Sequence, residues 1–361
     1  MIRSKINKAA WAAAAALALT ACASNAERGG AAVASAEPID PATAGWDVAA
    51  LDEAVAYAQA QNSTGFVIVD DGRIIAEHYW PLPRAAVIFR NNFTHGVNAD
   101  GVLLEDVASM QKSFVAILAG VAVDKGLLDV SQPVSSYIGE GWSQAPAERE
   151  AAITVLNLLE MNSGLNESFG YEAPAGERFF YNTAVYATLK PVLEAVAGAP
   201  LDDLTRDWLT APTGMTDTGW RQRPAVFAAV GNPTGLVTTP RDQAVMGQML
   251  LDGGRAADGT VVISEAQRDA MLTPSTTNPA YGRLWWLNGG AYAIAPGRGR
   301  TEGPLIATAP ADLYAALGAQ DRKLYVVPSR RLVVVRAGPA VDDAEFNETL
   351  WRLISAAMPE A

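Results

Sequence analysis

Cysteine and histidine are the scarce residues of this 361-residue chain, which holds one Cys and two His. A single Cys excludes an internal disulfide and any Cys-rich zinc or iron–sulfur site. The two histidines, His78 and His95, leave little room for a multi-His metal centre; His78 falls in an expected strand and His95 in an expected loop, and both read as structural. Positive charge is also short, with 27 Lys and Arg against 39 Asp and Glu and a formal net charge of −12. That balance offers nothing to a phosphate backbone and argues against nucleic-acid binding. Half of the residues are hydrophobic and 18% are charged, which is ordinary globular composition rather than that of a collagen-like, disordered or many-helix membrane protein. The chain is long enough to bury a sizeable core without covalent staples. No Gly-rich stretch has phosphate-loop context, and no metal or organic cofactor is implied.

The start of the chain reads as an address. Arg3, Lys5 and Lys8 precede an apolar run over 9–19, the pattern of a secretory signal and too short for a comfortable membrane span. It ends in Leu19-Thr20-Ala21-Cys22, which resembles the lipobox of bacterial lipoproteins, where the Cys is acylated and becomes the mature N-terminus. The expectation is a signal peptide over 1–21, lipidation of Cys22 and a flexible tether over 22–45. The protein would then be anchored in the bacterial cell envelope, facing the periplasm at the outer membrane. An ordinary signal peptide is the alternative.

Beyond residue 46 the body begins with Asp47 and an amphipathic helix carrying Val48, Leu51, Val55 and Ala58. Two β-rich runs flank Asp70-Asp71-Gly72 and predict a hairpin. Residues 109–229 read mostly as helices, over 113–125, 154–161, 183–198 and 201–209, separated by Gly, Pro and Asn turns. Thr239 and Pro240 mark the cap and first position of a further helix, and Ser264 with Gln267 starts another. Strands return at 284–287, 291–294, 313–317, 324–327 and 332–336, and a last helix spans about 342–357. Strands at both ends with helices between them predict one composite antiparallel sheet built from the N- and C-terminal segments, with the helical region inserted beside it.

The chemistry concentrates in Val107-Ala108-Ser109-Met110-Gln111-Lys112. Ser109 and Lys112 stand at i and i+3, on one face of a helix start, and the run that follows is apolar almost all round, as in a buried helix. A lysine at the mouth of such a helix is desolvated, which lowers its pKa toward the range of a general base. A neutral amine beside a hydroxyl can take its proton and produce a nucleophile. From four residues alone, Ser109 as an N-cap and Lys112 as a snorkelling surface side chain stays open.

The wider context resembles the serine β-lactamase and penicillin-binding-protein superfamily. More specifically it is similar to the class C β-lactamase-related serine hydrolases, which include esterases and 6-aminohexanoate-dimer hydrolases. Collinear stretches carry the resemblance: Val107 to Phe114, Gly126 to Val134, Ile153 to Leu165, Gly235 to Asp242, Tyr281 to Trp286 and Val327 to Val335. It implies an α/β (α+β) β-lactamase-like fold over 46–361, with a helical subdomain at about 110–230. It also implies Ser109 as nucleophile, Lys112 as base and Tyr181 as proton relay, with the backbone amides of Ser109 and Ala319 as oxyanion hole.

Two motifs depart from the pattern. Thr183 stands where an Asn is expected, with Asn182 one place early, and the Lys-Thr-Gly strand motif falls on Ala316-Leu317-Gly318 without cation or hydroxyl. Asn182, Trp286 and Gly318 are the expected substrate contacts, Gly318 because it lets a substrate approach the strand backbone. Losing the Lys-Thr pair removes the usual carboxylate anchor and favours a small-molecule ester or amide substrate over a dedicated β-lactam one. A D-amino-acid peptidase, a weak β-lactamase and a non-catalytic envelope binding protein of the same fold are the alternatives.

Overall fold

The computed structural model describes residues 33–34 and 36–360. The expected signal peptide and Cys22 lie outside the described residues. In chain order the elements used below are α1 (Val48–Ala60), β1 (Gly65–Asp70), β2 (Arg73–Tyr79), α2 (Val87–Phe93), β3 (Thr94–Val97), β4 (Leu103–Asp106) and α3 (Gln111–Asp124). There follow α4 (Val155–Leu159), α5 (Thr183–Ala187), α6 (Leu189–Ala197), β5 (Gly219–Gln222), β6 (Thr234–Thr238), α7 (Pro240–Leu251) and α8 (Glu265–Met271). The chain ends through β7 (Trp286–Leu287), β8 (Tyr292–Ala295), β9 (Gly299–Glu302), β10 (Tyr314–Gly318), β11 (Arg322–Val327), β12 (Leu332–Ala337) and α9 (Phe346–Ala357).

The composite sheet is as expected. Its order is β2-β1-β12-β11-β10-β7, every pairing is antiparallel, and β1 meets β12 in register from Gly65↔Ala337 to Asp70↔Leu332. β11 and β12 are buried at every position, because α1 and α9 cover one face and α7 the other. On α9 the buried residues are Phe346, Leu350, Trp351, Ile354 and Ala357, a helical stripe that sets Trp351 edge-on to Tyr325 of β11 at 5.4 Å. The fully buried Arg336 of β12 gives its guanidinium to five backbone carbonyls, among them those of Gln61 and Pro339, and to the Ser63 hydroxyl. A buried cation is tolerable only with such full pairing, and here it ties the end of α1 to the turn after β12.

Several expectations are corrected. The tether does not extend to residue 45. Val33 is buried, the Arg241 side chain donates to the Ala36 carbonyl at 2.8 Å, Ile39 bonds the backbone of Ile74, and Asp40 caps a 3-10 turn at Pro41–Ala44. The helix expected over 183–198 divides at Thr188 into α5 and α6, one turn before Pro191, whose missing N–H cannot bond the carbonyl four residues back. The stretch from 201 runs past 209 through a π turn at Arg206–Thr210 to Thr213. The last helix starts at Phe346, since the Asp343 carboxylate holds the Glu345 amide in a turn before it. Leu284 has φ +61°, so the strand expected at 284–287 shrinks to β7.

The second sheet, β3-β4-β6-β5, was not expected. Its strands are four or five residues long, too short to show a period, and one of them carries His95. This sheet holds a buried pair: Arg223 donates to both Asp106 carboxylate oxygens, at 2.7 and 2.8 Å. Gly235 of β6 makes room for it, because a Cβ there would lie 2.0 Å from an Asp106 oxygen. Gly235→Ala is therefore expected to break the pair and cost about 3 kcal/mol, read as a lowered urea midpoint with an unchanged m-value.

Candidate active site

Ser109 sits in a 3-10 turn, Ala108–Met110, that runs directly into α3. The turn is pinned from several sides. The Val107 amide donates to the Leu236 carbonyl of β6, and the Ala108 amide to Asp106 at 2.8 Å. Ala108 itself has φ +49°, a conformation that non-Gly residues adopt only when their surroundings impose it. Opposite, a Cβ on Gly318 would lie 2.4 Å from the Val107 carbonyl oxygen. The glycine is thus required for β10 to close against the Ser109 turn, a backbone–backbone approach, while it also lines the cavity over Ser109.

All but the last two residues of α3 are buried, and this determines the state of Lys112. The residue is 2% exposed, and its Nζ lies 3.1 Å from Ser109 Oγ and 3.2 Å from Thr183 Oγ1. The rings of Tyr181 and Tyr186 flank it, with centroids at 4.7 and 4.8 Å. Those two hydroxyls are its only hydrogen-bond partners among the described residues, and no carboxylate pairs with it there. Burial first, and the charge of Arg223 second, lower its pKa to about 7. Burial moves Tyr181 the other way, up to about 12, against a smaller opposing effect from Ser109. At neutral pH the cluster therefore holds a hydroxyl, a substantially neutral amine and a protonated phenol, which is an acid–base set.

A cavity of about 650 Å³ opens over Ser109 and is lined by Tyr181, Trp286, Gly318 and Ala319, so four of the expected site residues share it with the serine. Tyr181 stacks on Trp286 at 5.8 Å, and Tyr281 stands edge-on to both. The neighbouring Trp285 is fully buried against Tyr314, so of the adjacent tryptophans one is wall and the other core. Asn182 does not join the site as expected. It is 2% exposed, caps α5 by accepting from the Val185 amide, and donates to the Leu165 carbonyl. The hydroxyl of Thr183, one residue on, is the one that reaches Lys112. Sequence reasoning also missed Lys323, Arg298 and Ile306 of the cavity lining, which stand far from Ser109 in the chain.

The family model described as Beta-lactamase matches residues 48–357. A 6-aminohexanoate-dimer hydrolase of Paenarthrobacter ureafaciens is 24% identical over 238 residues, 53% of this chain and 59% of that protein. The crystal structure of a putative beta-lactamase from Bacteroides dorei superposes with a TM-score of 0.65 at 16% identity, covering 86% of this chain and 99% of the other. That of a family VIII carboxylesterase gives 0.60 at 16% identity, covering 86% and 96%. At these identities the two structures speak for the fold.

The pKa of Lys112 predicts how Ser109 should respond to pH. Only the neutral amine accepts a proton, so labelling of Ser109 by a fluorophosphonate should rise about tenfold per pH unit below 7 and level off above about 8. A pH profile of the labelling rate by intact mass checks this, and a flat profile between pH 5 and 9 would contradict it.

Proposed function

This chain belongs to the Beta-lactamase family, and from that premise we propose that it hydrolyses a carboxylic ester or amide through an acyl-enzyme on Ser109. The observation that carries the reading is the 3.1 Å approach of Ser109 Oγ to a buried lysine with no carboxylate partner among the described residues. In that environment the amine takes the Ser109 proton as Oγ attacks the carbonyl carbon. The oxygen that gains charge turns toward the amides of Ser109 and Ala319, two residues of the cavity lining. Tyr181, protonated across the neutral range, passes a proton to the leaving alcohol or amine. Lys112 gives the proton it took to the Tyr181 phenolate and is neutral again; water then attacks the acyl carbon and loses a proton to Lys112, which passes it to Ser109 Oγ as the acyl–oxygen bond breaks and the acid leaves. The reading is supported by the likeness to a family VIII carboxylesterase and to a 6-aminohexanoate-dimer hydrolase. Leu317 at the family's hydroxyl position gives the cavity an apolar wall beside the carbonyl.

Ser109→Ala should abolish hydrolysis of a p-nitrophenyl ester panel while keeping the melting temperature of the parent. Tyr181→Phe should lower kcat by roughly 10²- to 10⁴-fold, more for anilides than for p-nitrophenyl esters, because the amine leaving group needs its proton. Equal losses on both substrates would remove the relay role. The same proposal includes an envelope location through acylated Cys22, supported by the leader pattern alone. Cys22→Ala in a bacterial host should move the protein from the membrane fraction to the periplasmic extract.

A further inference from the structure

Lys323 lies on β11 directly across from Leu317 of β10, so both side chains share a sheet face, and both line the cavity that holds Ser109. The lysine is 6% exposed, and its one side-chain partner among the described residues is Asp321, at 3.2 Å. An ammonium carries three donors, so two are left without protein acceptors in a place where a dehydrated charge is costly. Burial foremost, with Arg298 among the lesser causes and Asp321 opposing, holds the lysine below its ordinary range. Arg298, from the turn between β8 and β9, lines the same cavity and makes no side-chain ion pair or hydrogen bond among the described residues. Two cations with unused donors therefore face one space. The carboxylates nearby are already engaged. Asp321 accepts from the Val341 amide as well as pairing with Lys323, Asp343 from the Tyr57 hydroxyl and the Glu345 amide, and Asp342 from the Asn62 amide.

We propose that Lys323, assisted by Arg298, forms an anion subsite in this cavity, so that the substrate is an ester or amide whose acyl part ends in a carboxylate. The inference rests on the hydrolase reading above and adds the substrate class to it. β10 brings only Ala316 and Leu317 to the place where a cation is otherwise expected, and the cation comes instead from the adjacent strand. Leu317 and Trp286 line the same cavity and offer apolar surface for methylene groups. A carboxylate reaching Lys323 completes the unused donors of the ammonium with a charge-assisted bond.

The test uses p-nitrophenyl esters of matched acyl length, four, six and eight carbons, ending in carboxylate, methyl or ammonium. The parent should favour the best carboxylate-ended ester over its methyl-ended match. In Lys323→Met that preference should fall by roughly 10- to 100-fold, through KM, and Lys323→Arg should restore part of it. Arg298→Ala, at an exposed turn position, should lower it without any burden on folding. A parent that labels at Ser109 and hydrolyses esters without carboxylate preference, or that prefers the ammonium-ended ester, overturns the subsite and leaves the hydrolase reading standing. If neither labelling nor hydrolysis occurs, the hydrolase reading fails and the subsite is read by calorimetric titration with adipate. Binding to the parent but not to a folded Lys323→Met keeps it, and no binding to the parent ends it.

Discussion

The dehydration of one amine organises this site. Lys112 projects from the first turn of a helix buried on all sides, between two tyrosine rings and two hydroxyls. A carboxylate in that space would hold it as an inert ammonium; without one among the described residues, desolvation shifts it toward the neutral base. Much of the neighbouring architecture maintains that condition. The Asp106–Arg223 pair engages the carboxylate at the end of β4, and the charge of its guanidinium further disfavours protonation of Lys112.

The fold brings this about by joining distant segments. Antiparallel pairing of β1 with β12 places the C-terminal strands beside the N-terminal hairpin. That arrangement in turn carries β10 to the nucleophile turn, where Gly318 meets the Val107 carbonyl at backbone distance. The positive φ of Ala108 is held by bonds to the second sheet, from its own amide to Asp106 of β4 and through Val107 to β6. Strain of this kind persists where neighbouring structure over-determines it, and here it turns the Ser109 hydroxyl toward the cavity.

The cavity combines two chemistries. Its lining is aromatic at Tyr181 and Trp286, which stack, and cationic at Lys323 and Arg298, beside carboxylates that accept from protein donors. Such a division suits a substrate with a reactive carbonyl at one end and a charge at the other, because apolar surface supplies affinity and a few placed polar groups supply orientation.

Legibility in the sequence followed the range over which each feature is encoded. The hairpin around Asp71-Gly72, the buried helix α3, the cap at Thr239-Pro240 and the i, i+3 pair of Ser109 and Lys112 are local patterns, and each appears in the structure where the chain predicted it. The composite sheet followed from strands at both ends enclosing helices. Thr183 rather than Asn182 at Lys112, Gly318 as a backbone contact, the second sheet of four- and five-residue strands, and Lys323 and Arg298 over the cavity were decided by tertiary structure. The physical reason is that their roles depend on which residue faces which across strands and turns far apart in the chain. The sequence by itself determined a hydroxyl three residues before an amine at the mouth of a buried helix. Only the packing determined which hydroxyls and rings surround that amine, and which cations face the space a substrate would fill.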